Sequence, residues 1–331
     1  PCGSATTWAV LTSIFPPTRT IRQLAAMPDL CVVVVADRKS PASGEYLRDL
    51  RSGDGAAARG AASDEARSRF VYLPADEQMQ LGYAMLRHIP WNHFGRKNVG
   101  FMYAIEHGAE VIYDTDDDNE LHDEFGAHTL RGWIRRLRAA ATSTNPVGAT
   151  GSAASTTASI STSTSASSKG GSGAHSSGRS KWQIPEWHTC APLINPYPAF
   201  HPSRFLWPRG LPLELTHDCQ TVLEHPPNPT AGTKATRALA GAVPSASASQ
   251  IAVVQSVADH DPDVDAIFRL VHNHLPIYFA NGVSAEGGGA AWNARAVPRG
   301  SMAPFNAQST LWAHGGFWGM LLPVTVHGRV S

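Results

Sequence analysis

No stretch of this chain is apolar for anything like the roughly 18–20 residues that a membrane span requires. No helical crossing is therefore expected within it. An excess of positive charge is also lacking: 27 Lys and Arg balance 27 Asp and Glu. With no Lys/Arg run either, nothing favours nucleic acid as a partner. Cysteine is scarce, four in 331 residues. Cys2, Cys31, Cys190 and Cys219 lie far apart with no C-x-x-C pair, which excludes a cysteine zinc site and leaves any bridging between them open. Cys31 opens an apolar run and reads most simply as a core residue. Fifteen histidines are many, but no H-E-x-x-H or paired Cys/His spacing turns them into a metal site. A signal peptide and an initiator Met are missing too. The chain starts at Pro1 and stops in the middle of an apolar pattern at Ser331, so it is expected to be a piece of a longer protein.

What is present is an alternation of strand and helix patterns, at a length that suits one large α/β domain or two small ones. Trp8 to Ile14 reads as a strand, followed by a turn at Phe15-Pro16-Pro17-Thr18 and a helix from Arg19 to Ala26. Cys31 to Ala36 is a β-branched strand closing on Asp37. A third strand is expected at Ser68 to Leu73 and a helix at Gln78 to His88. Asn98 to His107 then reads as a helix closed by Gly108, and Val111 to Tyr113 as the end of a buried strand. Strand cores this continuous suit a parallel sheet covered on both faces, a doubly wound fold. The longest basic cluster, Arg131 to Arg138, alternates with Leu130, Trp133, Ile134 and Leu137, an amphipathic helix with a solvated basic face.

Four stretches interrupt the pattern: about 51–67, 139–181, 227–249 and 284–300. They are dominated by Ser, Thr, Ala and Gly, or by Ala, Gly and charge, and cannot bury enough apolar surface to offset backbone entropy. They are read as disordered insertions into a single domain, 5–331. Trp182 to Leu213, dense in Trp and Pro, is expected to pack as loops over the sheet.

The densest chemistry lies in Glu110-Val111-Ile112-Tyr113-Asp114-Thr115-Asp116-Asp117-Asp118-Asn119. A strand end delivers four carboxylates and an amide into a loop, where they repel unless solvated or neutralised by a cation. Hard oxygen ligands suit Mg²⁺, Mn²⁺ or Ca²⁺ rather than zinc. A strand ending in Asp-x-Asp is one way that sugar-nucleotide-dependent glycosyltransferases hold a divalent ion, and a solvated acidic turn is the competing reading. An EF-hand is disfavoured: its turn Gly is Asn119, its bidentate Glu is Phe125, and a strand precedes the loop. Upstream, Arg96 and Lys97 fall at the start of the Asn98 helix. Two cations there oppose the macrodipole unless an anion such as a diphosphate joins them.

Further on, Asp259, Asp261, Asp263 and Asp265 precede a helical stretch. Asp263 and Asp265 are placed to cap that helix, or one carboxylate is a general base facing an acceptor hydroxyl. His327 near the end is read either as a last metal or diphosphate contact or as an ordinary loop histidine.

Taken together the blocks resemble the STELLO-type glycosyltransferase-like family of plants and its algal and animal relatives. The matching motifs are W-A-V-L-T-S-I-F-P-P-T at 8–18, P-W-N-H-F-G-R-K-N-V-G at 90–100 and E-V-I-Y-D-T-D-D-D-N at 110–119. N-P-Y-P-A-F at 195–200, W-P-R-G-L-P-L at 207–213 and D-P-D-V-D-A-I-F-R-L at 261–270 follow. A-P-F-N-A-Q-S-T-L-W at 303–312 and L-L-P-V-T-V-H-G-R-V-S at 321–331 complete the series. The insertions fall between blocks, and the chain stops where the family pattern would continue. A more distant likeness is to UDP-arabinopyranose mutases, which share an acidic strand end.

The resemblance implies a GT-A-like (Rossmann-like) α/β fold, a mixed, mostly parallel sheet flanked by helices. It implies the luminal part of a type II Golgi membrane protein, anchored outside this chain, with a role in cell-wall polysaccharide assembly. It further implies a UDP- or GDP-sugar donor, a glycan or glycoprotein acceptor, Mn²⁺ or Mg²⁺, and association with cellulose synthase or other Golgi proteins. On it, the Trp8–Pro17 loop and Asp37 would hold the nucleoside, and Arg96, Lys97 and Asn98 the donor phosphates. Asp116 and Asp118 would bind the ion, with Asp114 as the alternative partner of Asp116. Asp263 would be the acceptor-side base ahead of Asp261 and Asp265. A degenerate domain kept as a scaffold, and a sugar-nucleotide mutase, are the alternative readings.

Overall fold

The computed structural model describes residues 2–3, 5–52, 64–121, 130–138, 194–197, 201, 206–210, 221–222, 251–260, 262–272, 276–279, 303–304 and 308–322. Of the insertions expected from composition, 139–181, 227–249 and 284–300 lie outside these residues.

Six strands form one sheet in the order Phe70–Leu73, Cys31–Ala36, Thr7–Ser13, Val111–Thr115, Ser309–Ala313, Val253–Gln255. They are β1 (Thr7–Ser13), β2 (Cys31–Ala36), β3 (Phe70–Leu73), β4 (Val111–Thr115), β7 (Val253–Gln255) and β8 (Ser309–Ala313). The short strands β5 (Ile194–Asn195) and β6 (Thr221–Val222) pair separately. β1 pairs in parallel with β2 and with β4, and β2 with β3; β8 is antiparallel to both β4 and β7. The sheet is mixed, mostly parallel and flanked by helices, a Rossmann-like architecture consistent with the GT-A-like fold.

The all-buried Val run of β2 explains why this sheet is covered on both faces. Alternate residues of β1 and β2 supply two cores: Ala9, Leu11, Val32 and Val34 on one side, Trp8, Val10, Val33 and Val35 on the other. The first side is covered by Ile21 and Leu24 of the Arg19–Ala25 helix and by Tyr46 and Leu50 of the Ser43–Arg51 helix. Leu130, Ile134 and Leu137 of the helical stretch 130–138 join them, while Arg135, Arg136 and Arg138 face out, the amphipathic division read from the sequence. Thr18 caps the first of these helices by accepting from Ile21 N.

The other side is covered by the Lys97–Glu106 helix, which packs Val99, Phe101 and Ala104 on the sheet. Gly100 makes that approach possible. A Cβ there would lie 2.5 Å from Val10 Cγ1 and 2.7 Å from Val35 Cγ2.

Several expectations shift. The continuous helix at Gln78 to His88 is broken: Ala75–Gln78 is helical, followed by 3₁₀ turns at Met79–Leu81 and Ala84–Arg87. Gly82, at φ +75°, separates the two turns and cannot continue a helix. The stretch 51–67 is not insertion throughout, since Asp64–Ser68 is helical and buries Ala66. The Ser43–Arg51 helix was not anticipated at all. β4 continues to Thr115, so Asp114 is a strand residue, paired with Val10 and Thr310, rather than part of the loop.

Beyond the sheet, Tyr197, Leu206, Val264, Ile277 and Phe279 form a small cluster of their own. Bridges from Pro208 to Val264 and from His260 to Ile277 hold it together.

Candidate functional site

The chain runs outward from β1 through β2 to β3, then crosses back to lay β4 on the other side of β1. Their carboxyl ends therefore flank a topological switch point, where such sheets open a crevice for ligands. Three loops meet there, tied by side chains. Ser13 Oγ donates to Asp117 Oδ2 (2.5 Å), and Thr18 Oγ1 donates to Asp117 O (2.6 Å). Ser40 Oγ donates to Ser13 O (2.6 Å) and accepts from Asp37 N (2.7 Å). Asp117, one member of an acidic run in the sequence, thus joins β4 to β1. Burial raises its carboxyl above the ordinary range, opposed by the Ser13 hydrogen bond.

Asp37 sits at the end of β2, buried, with Oδ1 accepting from Arg38 N (2.6 Å) and Oδ2 from Asn92 N (2.8 Å). Two guanidiniums lie over the Trp91 ring, Arg96 at 3.8 Å and Arg38 at 4.9 Å from its centroid. Ile14 and Phe15, just beyond β1, are exposed. Trp8, expected with the nucleoside loop, is instead a sheet residue in the core, its Nε1 bonded to Ala5 O.

Lys97, the first residue of its helix, is almost wholly buried. Its Nζ donates to Asp114 Oδ1 and to Asp116 Oδ1, each at 2.8 Å. This contact answers part of the electrostatic question posed by the sequence: the Lys97 cation at the helix start is the shared counter-charge of two of the crowded carboxylates. Side-chain exposure separates the two acids, 2% for Asp114 and 40% for Asp116. Burial pushes the Asp114 carboxyl up to about 6, against the Lys97 ammonium that holds it down. Burial disfavours the charged Lys97, but Asp114 and Asp116 more than offset it, and its pKa ends above the ordinary value.

The neighbouring residues are also engaged internally. Arg96 donates to Gln78 Oε1, and Gln78 in turn donates to Ala36 O (2.7 Å) and Leu73 O (2.9 Å). Asn98 exchanges two 2.8 Å hydrogen bonds with the backbone of Leu322, drawing the C-terminal segment to the start of this helix. A donor phosphate would have to share these partners to meet the side chains of Arg96, Lys97 or Asn98.

Among the described residues no group of three or more His, Cys, Asp or Glu is arranged to hold a metal. The Asp116 side chain is 40% exposed, and Asp118 is exposed. Two such carboxylates with an open side fit a Mg²⁺- or Mn²⁺-type ion whose shell substrate phosphates and water complete. Asp114 does not fit this role, being sealed in the sheet against Lys97.

No family model matches the chain. It is similar to two proteins of Arabidopsis thaliana, "Probable glycosyltransferase STELLO1" and "Probable glycosyltransferase STELLO2". Identity is 27% and 26% over 266 residues, 79% of this chain in both cases. The chain spans about a quarter of the length of the curated relatives it matches, 26% of each. Both relatives are named as probable glycosyltransferases.

Of the other residues singled out in the sequence, two are engaged in contacts of their own and two lie outside the described residues. Asp265 caps the Ala266–Val271 helix, accepting from Ile267 N at 2.7 Å. Asp263 pairs with Arg209 at 2.8 Å, and its carbonyl accepts from Tyr197 OH. Asp261 and His327 lie outside the described residues. Ser40, Gln78 and Trp91 organise the crevice without having been assigned roles from the sequence, whereas Ser13 lies in the Trp8–Pro17 loop assigned to the nucleoside. For Trp91 the signal was its place in the motif at 90–100; single Ser and Gln residues carry none.

Proposed function

We propose that this chain is the donor-binding part of a glycosyltransferase that uses a nucleotide sugar and Mn²⁺ or Mg²⁺. The observation carrying this reading is the solvent-facing pair Asp116 and Asp118 at the switch point of a Rossmann-like sheet, beside the Lys97–Asp114 pair. When bound, the ion would neutralise the leaving diphosphate as a Lewis acid. Asp116 and Asp118 would hold it, and Lys97 would offset the charge of the buried Asp114. Asp37 and the exposed turn Ile14–Phe15 are the candidates to receive the nucleoside. Asp263 is the proposed acceptor-side base, with Arg209 holding its carboxylate in place; Asp261 and Asp265 are the alternatives, Asp265 with its cap to lose.

The acceptor would be a glycan or glycoprotein. By resemblance, the place of action would be the Golgi lumen, with a role in cell-wall polysaccharide and an association with cellulose synthase or other Golgi proteins. The Cys2–Cys31 disulfide supports an oxidising compartment. Among the described residues no helix is long and apolar enough to cross a membrane.

Replacing Asp116 and Asp118 together by Ala tests the assignment. We expect metal-dependent binding of UDP or GDP to be lost while the melting transition stays in place. Unchanged nucleotide binding in that variant would remove the metal site. One observation favours the scaffold reading: Lys97 already gives Asp114 and Asp116 a shared counter-charge, which lowers their need for an ion. A mutase would convert the donor with no acceptor present, whereas a transferase needs one.

A further inference from the structure

Two cations share one aromatic ring at the end of β2. The Arg96 guanidinium lies 3.8 Å from the Trp91 centroid and that of Arg38 4.9 Å from it. Like charges drawn to the same ring repel one another, yet among the described residues neither has a carboxylate within ion-pair distance. Arg96 is 1% exposed and donates to Gln78 Oε1 and, at 3.5 Å, to Ile89 O, while among the described residues its Nε has no partner. Burial lowers its pKa, Asp37 opposes that shift and Arg38 adds to it. A buried charge so sparsely bonded points to electron-rich chemistry that belongs beside it.

Arg38 is the accessible member of the pair. It is exposed, and among the described residues its guanidinium makes no hydrogen bond, so its N–H donors are open to a ligand. Trp91 is half-buried, and its loop is tied to β2 by Asn92 N, which donates to Asp37 Oδ2 at 2.8 Å. Both oxygens of Asp37 already accept a backbone N–H. This corner therefore offers an aromatic ring and cationic donors, with its acid engaged.

A flat ring bearing carbonyl oxygens fits that chemistry. Guanidiniums donate to such oxygens, as they do to those of guanine. A base stacked on an aromatic side chain is also held more strongly than an exposed cation over the same ring. Arg38 can then yield the ring and donate to the edge of the base instead.

We propose that Trp91 and Arg38 form the nucleobase subsite of the donor: Trp91 stacks on a carbonyl-bearing base, uracil or guanine, and Arg38 donates to its oxygens. The inference deepens the reading of the crevice as a nucleotide-sugar site and rests on it.

The test is calorimetric titration of UDP, GDP and methyl diphosphate, each with Mn²⁺, on the wild-type chain, Trp91→Leu and Arg38→Met. Methyl diphosphate carries the phosphates without a base. Each variant should weaken binding of the preferred nucleotide by roughly fivefold or more and leave methyl diphosphate binding unchanged. A merely structural role would weaken both ligands alike or neither. Unchanged nucleotide affinity in either folded variant overturns the proposal. An equal loss for methyl diphosphate also overturns it, since the two side chains would then serve the phosphates. Should Trp91→Leu not melt cooperatively, Arg38→Met decides alone, because that side chain is exposed. A wild type that binds methyl diphosphate but neither nucleotide has no base subsite, which overturns the proposal and leaves the phosphate site standing. A wild type that binds none of the three defeats the donor reading itself, and the proposal with it.

Discussion

At the scale of single residues, the least exchangeable side chain in the described fold is Lys97. Its charge lies in the core beside a sheet core, and removing it strands Asp114 without a counter-ion. Breaking one half of a buried pair typically costs about 3–5 kcal/mol. Lys97→Met alone should therefore destabilise the domain by about that much in a denaturant titration, and adding Asp114→Asn should restore most of the loss. A single-variant loss below about 1 kcal/mol would mean that water reaches the pair. The carboxylates and cations of this site were all legible in the sequence; their pairing was not. A strand boundary drawn at Tyr113 placed Asp114 in the loop, and two further residues of β4 bury it instead. Nothing local announces that extension, because it is fixed by ladder pairing to Val10 and Thr310.

At the scale of elements, close packing of the Lys97–Glu106 helix is what presents Lys97 to β4. Gly100 sits against Val10 and Val35 with no room for a methyl group. Gly100→Ala should gain a little helix propensity but lose more to the clash, a net destabilisation of about 1–3 kcal/mol. An unchanged midpoint would show that the helix can lift without cost. This helix was legible because Gly108 stops it at φ +85°, and β2 because its β-branched run has no other use. The Ser43–Arg51 helix was missed: it buries only Tyr46 and Leu50 and has no side-chain cap, so its signal is two apolar residues a turn apart. The stretch after Gln78 failed as one helix because Gly82 adopts a left-handed conformation that apolar spacing does not encode.

At the scale of the whole molecule, the N-terminal segment is fastened to the central sheet by the Cys2–Cys31 disulfide, which closes a loop with a sequence separation of 29. A closure of that length stabilises by about 3–4 kcal/mol in the chain-entropy account. Cys2→Ala with Cys31→Ala should lower unfolding stability by a comparable amount; a loss near zero would mean that burial of the segment holds it without the bridge. Spacing in the sequence left the pairing open, since the two cysteines meet only once β2 is in the sheet. The α/β class, in contrast, followed from strand cores too apolar for a one-sided sheet. The acidic strand end then fell at the switch point, where the topology opens a crevice. The most direct test of a donor site there is calorimetric titration of UDP, then GDP, into the wild-type chain with and without Mn²⁺. Binding of one nucleotide that appears only with Mn²⁺ is the predicted result, and a folded chain that binds neither nucleotide in the presence of Mn²⁺ would contradict it.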